Sequence, residues 1–294
     1  MKLLRFFLTT AFMVYQLLFH TSVFADEITT QCKIKRKGAT EWSYCVSRFR
    51  NSKNPDILYY LHGIGGNSKS WSDNYAKANS PWKFRPSQEP TVVSISFGEI
   101  WLLAQKNASE ITGELMDFIL DEAMPEIEAS LEGFKGKRFL VGLSMGGFNA
   151  TQLYLWHPGP FAKVALLCPA LAEISPYVSD SEYDDFIRRT QADPEKARFT
   201  RGIIQYAFKD ETQWALASPF QIGPELLNPM HPPLFISTGQ EDDFGFFEGG
   251  KGFADLARTK GVHEVKWAPI NGKHCSFDAD ALFQFLFNDG EMKK

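Results

Sequence analysis

Four cysteines in 294 residues are too few to staple a fold together, and no C-x-x-C pair or H-x-x-x-H spacing offers a resident metal a ready set of ligands. No dinucleotide fingerprint, internal repeat or low-complexity tract occurs. An excess of positive charge is lacking as well, with 31 Lys and Arg against 35 Asp and Glu. The net charge is −4, and the one dense basic cluster is Lys33, Lys35, Arg36 and Lys37, which reads as a solvated hairpin. A nucleic-acid partner is therefore not expected. What remains, 44% hydrophobic, 22% charged and 14% aromatic, is the composition of a folded globular chain.

The longest apolar stretch lies at the start. Lys2 and Arg5 precede Phe6 to Phe19, which only Thr9, Thr10 and Gln16 interrupt, and Val23-Phe24-Ala25 sets small residues at −3 and −1 of a cleavage site. The stretch falls short of the roughly 20 residues that span a bilayer. The expectation is a cleaved signal over residues 1–25, export to the periplasm or medium, and a mature chain of residues 26–294 with no membrane span. Cleavage removes Lys2 and Arg5 but no acid, taking the net charge from −4 to −6.

Export gives the cysteines meaning, because disulfides persist outside the cytoplasm. Between Cys32 and Cys45, Gly38-Ala39 suits a two-residue hairpin loop with glycine first, as a type II′ turn requires. Counting outward from 37 opposite 40 brings 32 opposite 45, a non-hydrogen-bonded position where a disulfide can close. Two buried thiols are the alternative.

Short apolar runs at 57–61, 91–96, 138–141, 162–167, 233–237 and 264–267 read as strands. Helical spacing occupies 110–131, with Pro125 starting a second piece or kinking the first, and again follows the glycine-rich turn at 142–147 and covers 277–287. Alternation of this kind predicts an α/β fold with a mostly parallel sheet covered on both faces. The stretch 171–229 breaks the rhythm. Its helical segments near 183–191 and 195–209, and aromatics Phe186, Tyr206, Phe208 and Trp214 that look exposed, mark an insert. It is either extra helices on the scaffold or a lid that walls a pocket.

Gly142-Leu143-Ser144-Met145-Gly146 is a G-x-S-x-G placed between a strand and a helix. In that setting Ser144 is a nucleophile on a sharp turn, and the Met145 N–H can face a developing oxyanion. The loop His62-Gly63-Ile64-Gly65-Gly66 after the first apolar run can bring the Ile64 N–H to the same oxygen. Of six histidines, His274 alone follows a strand at the matching sheet edge without a competing role, and Ser276 behind it can cap the last helix. Glu241, Asp242 and Asp243 all follow the 233–237 strand; Asp242 is first choice for the acid that orients His274, Asp243 second and Glu241 third. Phe244, Phe246 and Phe247 either line an acyl pocket or join the core.

The segments Leu61-His62-Gly63, Gly142 to Gly147, Gly239-Gln240-Glu241-Asp242 and Gly272-Lys273-His274 resemble those of α/β-hydrolase serine esterases. More narrowly, residues 55–287 resemble the group that holds esterase D, the feruloyl and siderophore esterases and the antigen 85 mycolyltransferases. The resemblance implies an α/β-hydrolase fold, a Ser144, Asp242, His274 triad and a small-molecule ester substrate, and the missing ligand and dinucleotide motifs lead us to expect no cofactor and no metal. Transfer of the acyl group to an alcohol acceptor, peptide cleavage, and a non-catalytic binding role on the same scaffold are the competing functions. A triad histidine predicts kcat/KM rising with pH through about 6.5.

Overall fold

The computed structural model describes residues 28–38, 40–50, 52–74, 88–101, 112–131 and 134–287, so the leader expected at 1–25 lies outside the described residues. The chain opens with β1 (Ile28–Lys37) and β2 (Thr40–Phe49), paired antiparallel with Lys37 opposite Thr40 and Cys32 opposite Cys45. That is the register the hairpin count requires. Gly38 takes φ +59°, and Cys32 and Cys45 are bridged with Cα atoms 4.0 Å apart.

Six further strands follow: β3 (Ile57–Leu61), β4 (Thr91–Ser96), β5 (Arg138–Leu143), β6 (Lys163–Leu167), β7 (Leu234–Ser237) and β8 (Val265–Trp267). The sheet order is β1-β2-β4-β3-β5-β6-β7-β8, antiparallel from β1 to β4 and parallel from β4 onward. Every residue of β3, β6 and β7 is buried. Parallel strands covered on both faces read as unbroken apolar runs, which is why these segments do not alternate in sequence.

The helices are α1 (Ser70–Asn74), α2 (Thr112–Phe118), α3 (Met124–Ala129), α4 (Met145–Trp156), α5 (Asp180–Thr190), α6 (Pro194–Ala207), α7 (Glu211–Ala215), α8 (Pro219–Leu226), α9 (Phe246–Thr259) and α10 (Ala279–Phe287). On one sheet face Tyr59, Leu140 and Ile236 pack with Phe148 and Leu153 of α4 and Phe253 of α9. On the other, Tyr60, Val141 and Phe235 pack with Leu282, Phe283 and Leu286 of α10. Among the described residues no helix is long and apolar enough to cross a membrane.

Between α2 and α3 the helix widens to a π segment, Ile119–Ala123, whose ladder ends with Met124 N–H bonded to Ile119 O. Pro125 has no N–H to continue the normal ladder, so a register shift just before it is the local solution. The last helix is capped by Asp278, whose Oδ1 accepts the Ala281 N–H at 2.8 Å, and not by Ser276. The helix begins two residues later than expected, which puts Ser276 outside the capping position.

The 171–229 stretch forms α5 to α8. A capping box at Ser179 and Glu182 starts α5, and the Asp193 carboxylate accepts N–H groups of Glu195 and Lys196 to start α6. Of the aromatics expected to be exposed, only Tyr206 is, at 90%; Phe186, Phe208 and Trp214 are buried. Phe208 packs edge-on against Phe148 of α4 and against Trp214, so the insert is anchored in the core it covers.

Candidate active site

β5 runs into α4 with one residue, Ser144, between them. Its φ of +55° and ψ of −116° are outside the regions an ordinary side chain favours, a cost on the order of 1–3 kcal/mol. The surroundings hold it there. Ser144 N–H donates to Leu167 O at 3.0 Å, and Ser144 O accepts from Phe148 at 3.1 Å and Ala170 at 2.9 Å. The turn also demands glycine on both sides. A Cβ on Gly142 would lie 2.1 Å from Gly146 O, and one on Gly146 would lie 2.1 Å from Leu61 O.

Ser144 Oγ lies 2.9 Å from His274 Nε2, and His274 Nδ1 lies 2.7 Å from Asp242 Oδ2. Thus the three residues proposed from sequence order meet at the carboxyl edge of the sheet. Asp242 is 2% exposed, and its other oxygen, Oδ1, accepts the N–H of Phe244 at 2.9 Å and of Phe246 at 3.4 Å. The neighbouring acids are placed elsewhere. Asp243 forms an ion pair with Lys196 of α6 and its carbonyl accepts the Asp193 N–H at 2.9 Å, while Glu241 is exposed. The Lys196 pair, working against partial burial, holds the Asp243 pKa below the usual carboxylate range.

Burial works to lower the His274 pKa, but hydrogen bonds to Asp242 and Cys275, reinforced by their charges, outweigh it and push it up to about 10. The Cys275 thiol is shifted in the opposite direction. Its hydrogen bond with Cys168 and then its contact with His274 hold its pKa low. Cys168 is buried completely, and burial pushes its thiol well up. The sequence reading passed over both cysteines because positions 168 and 275 share no spacing motif; only the fold places them together.

The oxyanion candidates are Met145, next to Ser144 in the chain, and Ile64, in the loop after β3. Met145 begins α4 with its side chain buried in the core, which leaves the backbone as its contribution. Ile64 lines the cavity in front of Ser144. Its loop is organised by polar contacts that sequence reasoning did not find: the His62 ring bonds Ser96 Oγ at 2.8 Å and Gly63 O at 2.8 Å, and the Gly65 N–H donates to Glu99 Oε1 at 2.7 Å. Burial holds the His62 pKa below its ordinary value, consistent with a neutral ring in those contacts.

The cavity has a volume of about 370 Å³. Ser144 and His274 line it together with the aromatic rings of Tyr60 and Trp101 and with Phe199 and Ile203 of α6. Phe244 and Phe246 also line it, with ring centroids 4.5 Å and 5.6 Å from that of His274. Phe247 is half-buried and packs on Trp267 without lining the cavity, so of the three it is Phe246 that joins the core. Among the described lining residues, the only titratable ones are His274, Cys275 and Tyr60.

Sheet order, elbow and covering helices define an α/β-hydrolase fold. The chain matches the model of the family described as "Putative esterase" over residues 43–289, and it belongs to that family; it is a carboxylic ester hydrolase. Solved structures share the fold at low identity. A ferulic acid esterase is 19% identical with a TM-score of 0.54, covering 88% of this chain and 96% of that one. A Pyrobaculum calidifontis esterase is 17% identical with a TM-score of 0.58, covering 84% and 76%. A thermostable esterase from Pseudomonas putida is 18% identical with a TM-score of 0.55, covering 85% and 75%. No curated protein sequence matches.

Proposed function

We propose that the chain is an exported serine esterase that cleaves uncharged, apolar carboxylic esters through an acyl-enzyme on Ser144. The carrying observation is the continuous chain from Ser144 Oγ through both nitrogens of His274 to a buried Asp242 carboxylate, facing a cavity lined mainly by apolar side chains. The Cys32–Cys45 bridge supports the export reading, since such a bond persists in an oxidising compartment.

In this reading His274, its tautomer fixed by Asp242, accepts the Ser144 proton as Oγ adds to the ester carbonyl. The N–H groups of Met145 and Ile64 stabilise the tetrahedral oxyanion. His274 protonates the departing alkoxide, the alcohol leaves, and the acyl group stays on Ser144. A water then gives its proton to His274 and its oxygen to the acyl carbon, releasing the acid and returning the proton to Ser144. Atoms and charges balance with no redox partner.

The test is turnover of p-nitrophenyl acetate, butyrate and octanoate and of an aryl ester, by the mature protein and by Ser144→Ala. Turnover abolished by the substitution supports the reading, and equal rates for both proteins would overturn it. New esters formed in preference to acid when sugar or lipid alcohols are supplied would replace hydrolysis by acyl transfer.

A further inference from the structure

Three side chains of metal-ligating types meet at the proposed triad, of which one, His274, is a member. Cys168 follows the last residue of β6 with φ +40°, its N–H donating to Ser237 O at 2.7 Å. His274 and Cys275 arrive from the far side on the turn after β8, Cys275 with φ +62°. The two sulfurs and an imidazole nitrogen all lie within 4.8 Å of one another. Cys32 and Cys45 are bridged, so Cys168 and Cys275 are the chain's free thiols. Cys168 is closed off behind the other two, while His274 and Cys275 line the cavity and give an ion a way in.

We propose that Cys168, His274 and Cys275 bind a thiophilic divalent cation, zinc foremost, which switches the esterase off by capturing His274. Two thiolates and an imidazole are a donor set that suits zinc over hard cations such as magnesium or calcium. Bond lengths of roughly 2.3 Å to sulfur and 2.0–2.1 Å to nitrogen place tetrahedral ligand atoms about 3.5–3.8 Å apart. From separations within 4.8 Å, the three atoms therefore need to close in by at most about 1.3 Å, at the end of a strand and on a turn. A water or the Ser144 hydroxyl can take the fourth position.

Inhibition follows whichever imidazole nitrogen the metal takes. Nδ1 is engaged by Asp242 and Nε2 by Ser144. A cation on Nε2 removes the lone pair that must receive the Ser144 proton. On Nδ1 it displaces Asp242, with the same loss of a working base. Metal-bound and triad-competent states exclude one another. This inhibitory consequence rests on the triad reading above, whereas binding of the ion does not.

The experiment uses the mature protein without a histidine tag. Cadmium chloride is titrated while the ultraviolet thiolate-to-cadmium charge-transfer band is followed, and bound zinc is counted by equilibrium dialysis. One equivalent of each is expected, with the band lost in Cys168→Ala and separately in Cys275→Ala, each checked for folding by circular dichroism. Zinc at ten times its Kd should cut wild-type ester turnover about tenfold by mass action. EDTA should restore it, and the ratio of turnover with and without zinc should return to near one in Cys168→Ala. No band in the wild type, a band that survives in Cys168→Ala, or zinc bound with turnover unchanged would overturn the proposal. So would an unfolded, unreduced protein with no titratable thiol, because Cys168 and Cys275 would then be bridged. Full turnover in Ser144→Ala, by contrast, strikes the triad reading and leaves the cadmium result standing on its own.

Discussion

Asp242 reaches His274 at 2.7 Å through Oδ2 while Oδ1 is held by the Phe244 N–H, so the carboxylate is fixed by the backbone of its own loop before it meets the imidazole. Asp243, one residue on, faces Lys196 instead. Asp242→Asn keeps the shape but can turn an NH₂ toward Nδ1, which drives the proton to Nε2 and removes the base. We expect kcat to fall about 10⁴-fold with the fold unchanged, as the loss of tautomer control does in a Ser-His-Asp triad. Asp243→Asn should stay within a few-fold of wild type. Ester turnover and circular dichroism on both variants check the assignment, and a larger loss in Asp243→Asn would reverse it.

The pH profile carries a second expectation. An imidazole serves as base only when neutral, and the partners of His274 raise its pKa, so the rising limb of kcat/KM lies above the 6.5 expected of an unperturbed histidine. Cys275 is one of those partners. Removing its negative charge with Cys275→Ala frees the proton earlier, and the limb should move about one to three pH units toward acid, the span of a close opposite charge. The rate at pH 7 then rises. A profile unmoved by the substitution would show that Asp242 alone sets the limb.

Much of this site could be read from residue order, and the reason is topological. A parallel strand that ends in a tight turn must deliver that turn to the same sheet edge as its neighbours, so Ser144, His274 and the acid loop 241–243 come together once the strands are found, while the choice of Asp242 over Asp243 and Glu241 needs the side-chain geometry. The Cys32–Cys45 register was equally legible, because a two-residue turn fixes every pair above it. The insert was not. Phe208 and Trp214 look like surface aromatics until α4 and Trp101 are in place to cover them, and Phe199 is given no distinction by its sequence. The contact of Cys168 with Cys275 joins positions more than a hundred residues apart with no periodicity to announce it. Ser276 failed as a cap through a boundary error of two residues, the kind that pattern reading makes most often.

Phe199 is 62% exposed on α6 and yet lines the cavity above Ser144. A ring in that position has little to do for stability, so Phe199→Ala should change unfolding free energy by no more than about 0.5 kcal/mol. Its contribution is to substrate. Partial burial of the ring against an acyl or aryl group is worth about 1 kcal/mol, or roughly fivefold in kcat/KM for octanoate and aryl esters. Acetate is too short to gain from it, and its rate should hold. Equal losses across the ester series would place Phe199 outside the specificity wall.

The disulfide should act on one hairpin and leave the rest of the sheet alone. β1 is an edge strand whose side chains are almost all exposed, so besides the β2 ladder and the Cys32–Cys45 bond it is held only by solvent-exposed ion pairs, Lys35 with Glu126 and Lys37 with Glu122, which are worth little. Closing a loop of this length is worth about 3 kcal/mol in chain entropy. Cys32→Ala should therefore let Ile28–Lys37 open locally, raising its amide exchange about two orders of magnitude, the rate equivalent of that free energy. β5 lies in the middle of the sheet, with most of its residues buried, and exchanges only when the whole structure opens. Its protection should stay where it was. Exchange measured by mass spectrometry on wild type and variant separates the two outcomes, since equal acceleration in β1 and β5 would mean that the bond stabilises the whole fold.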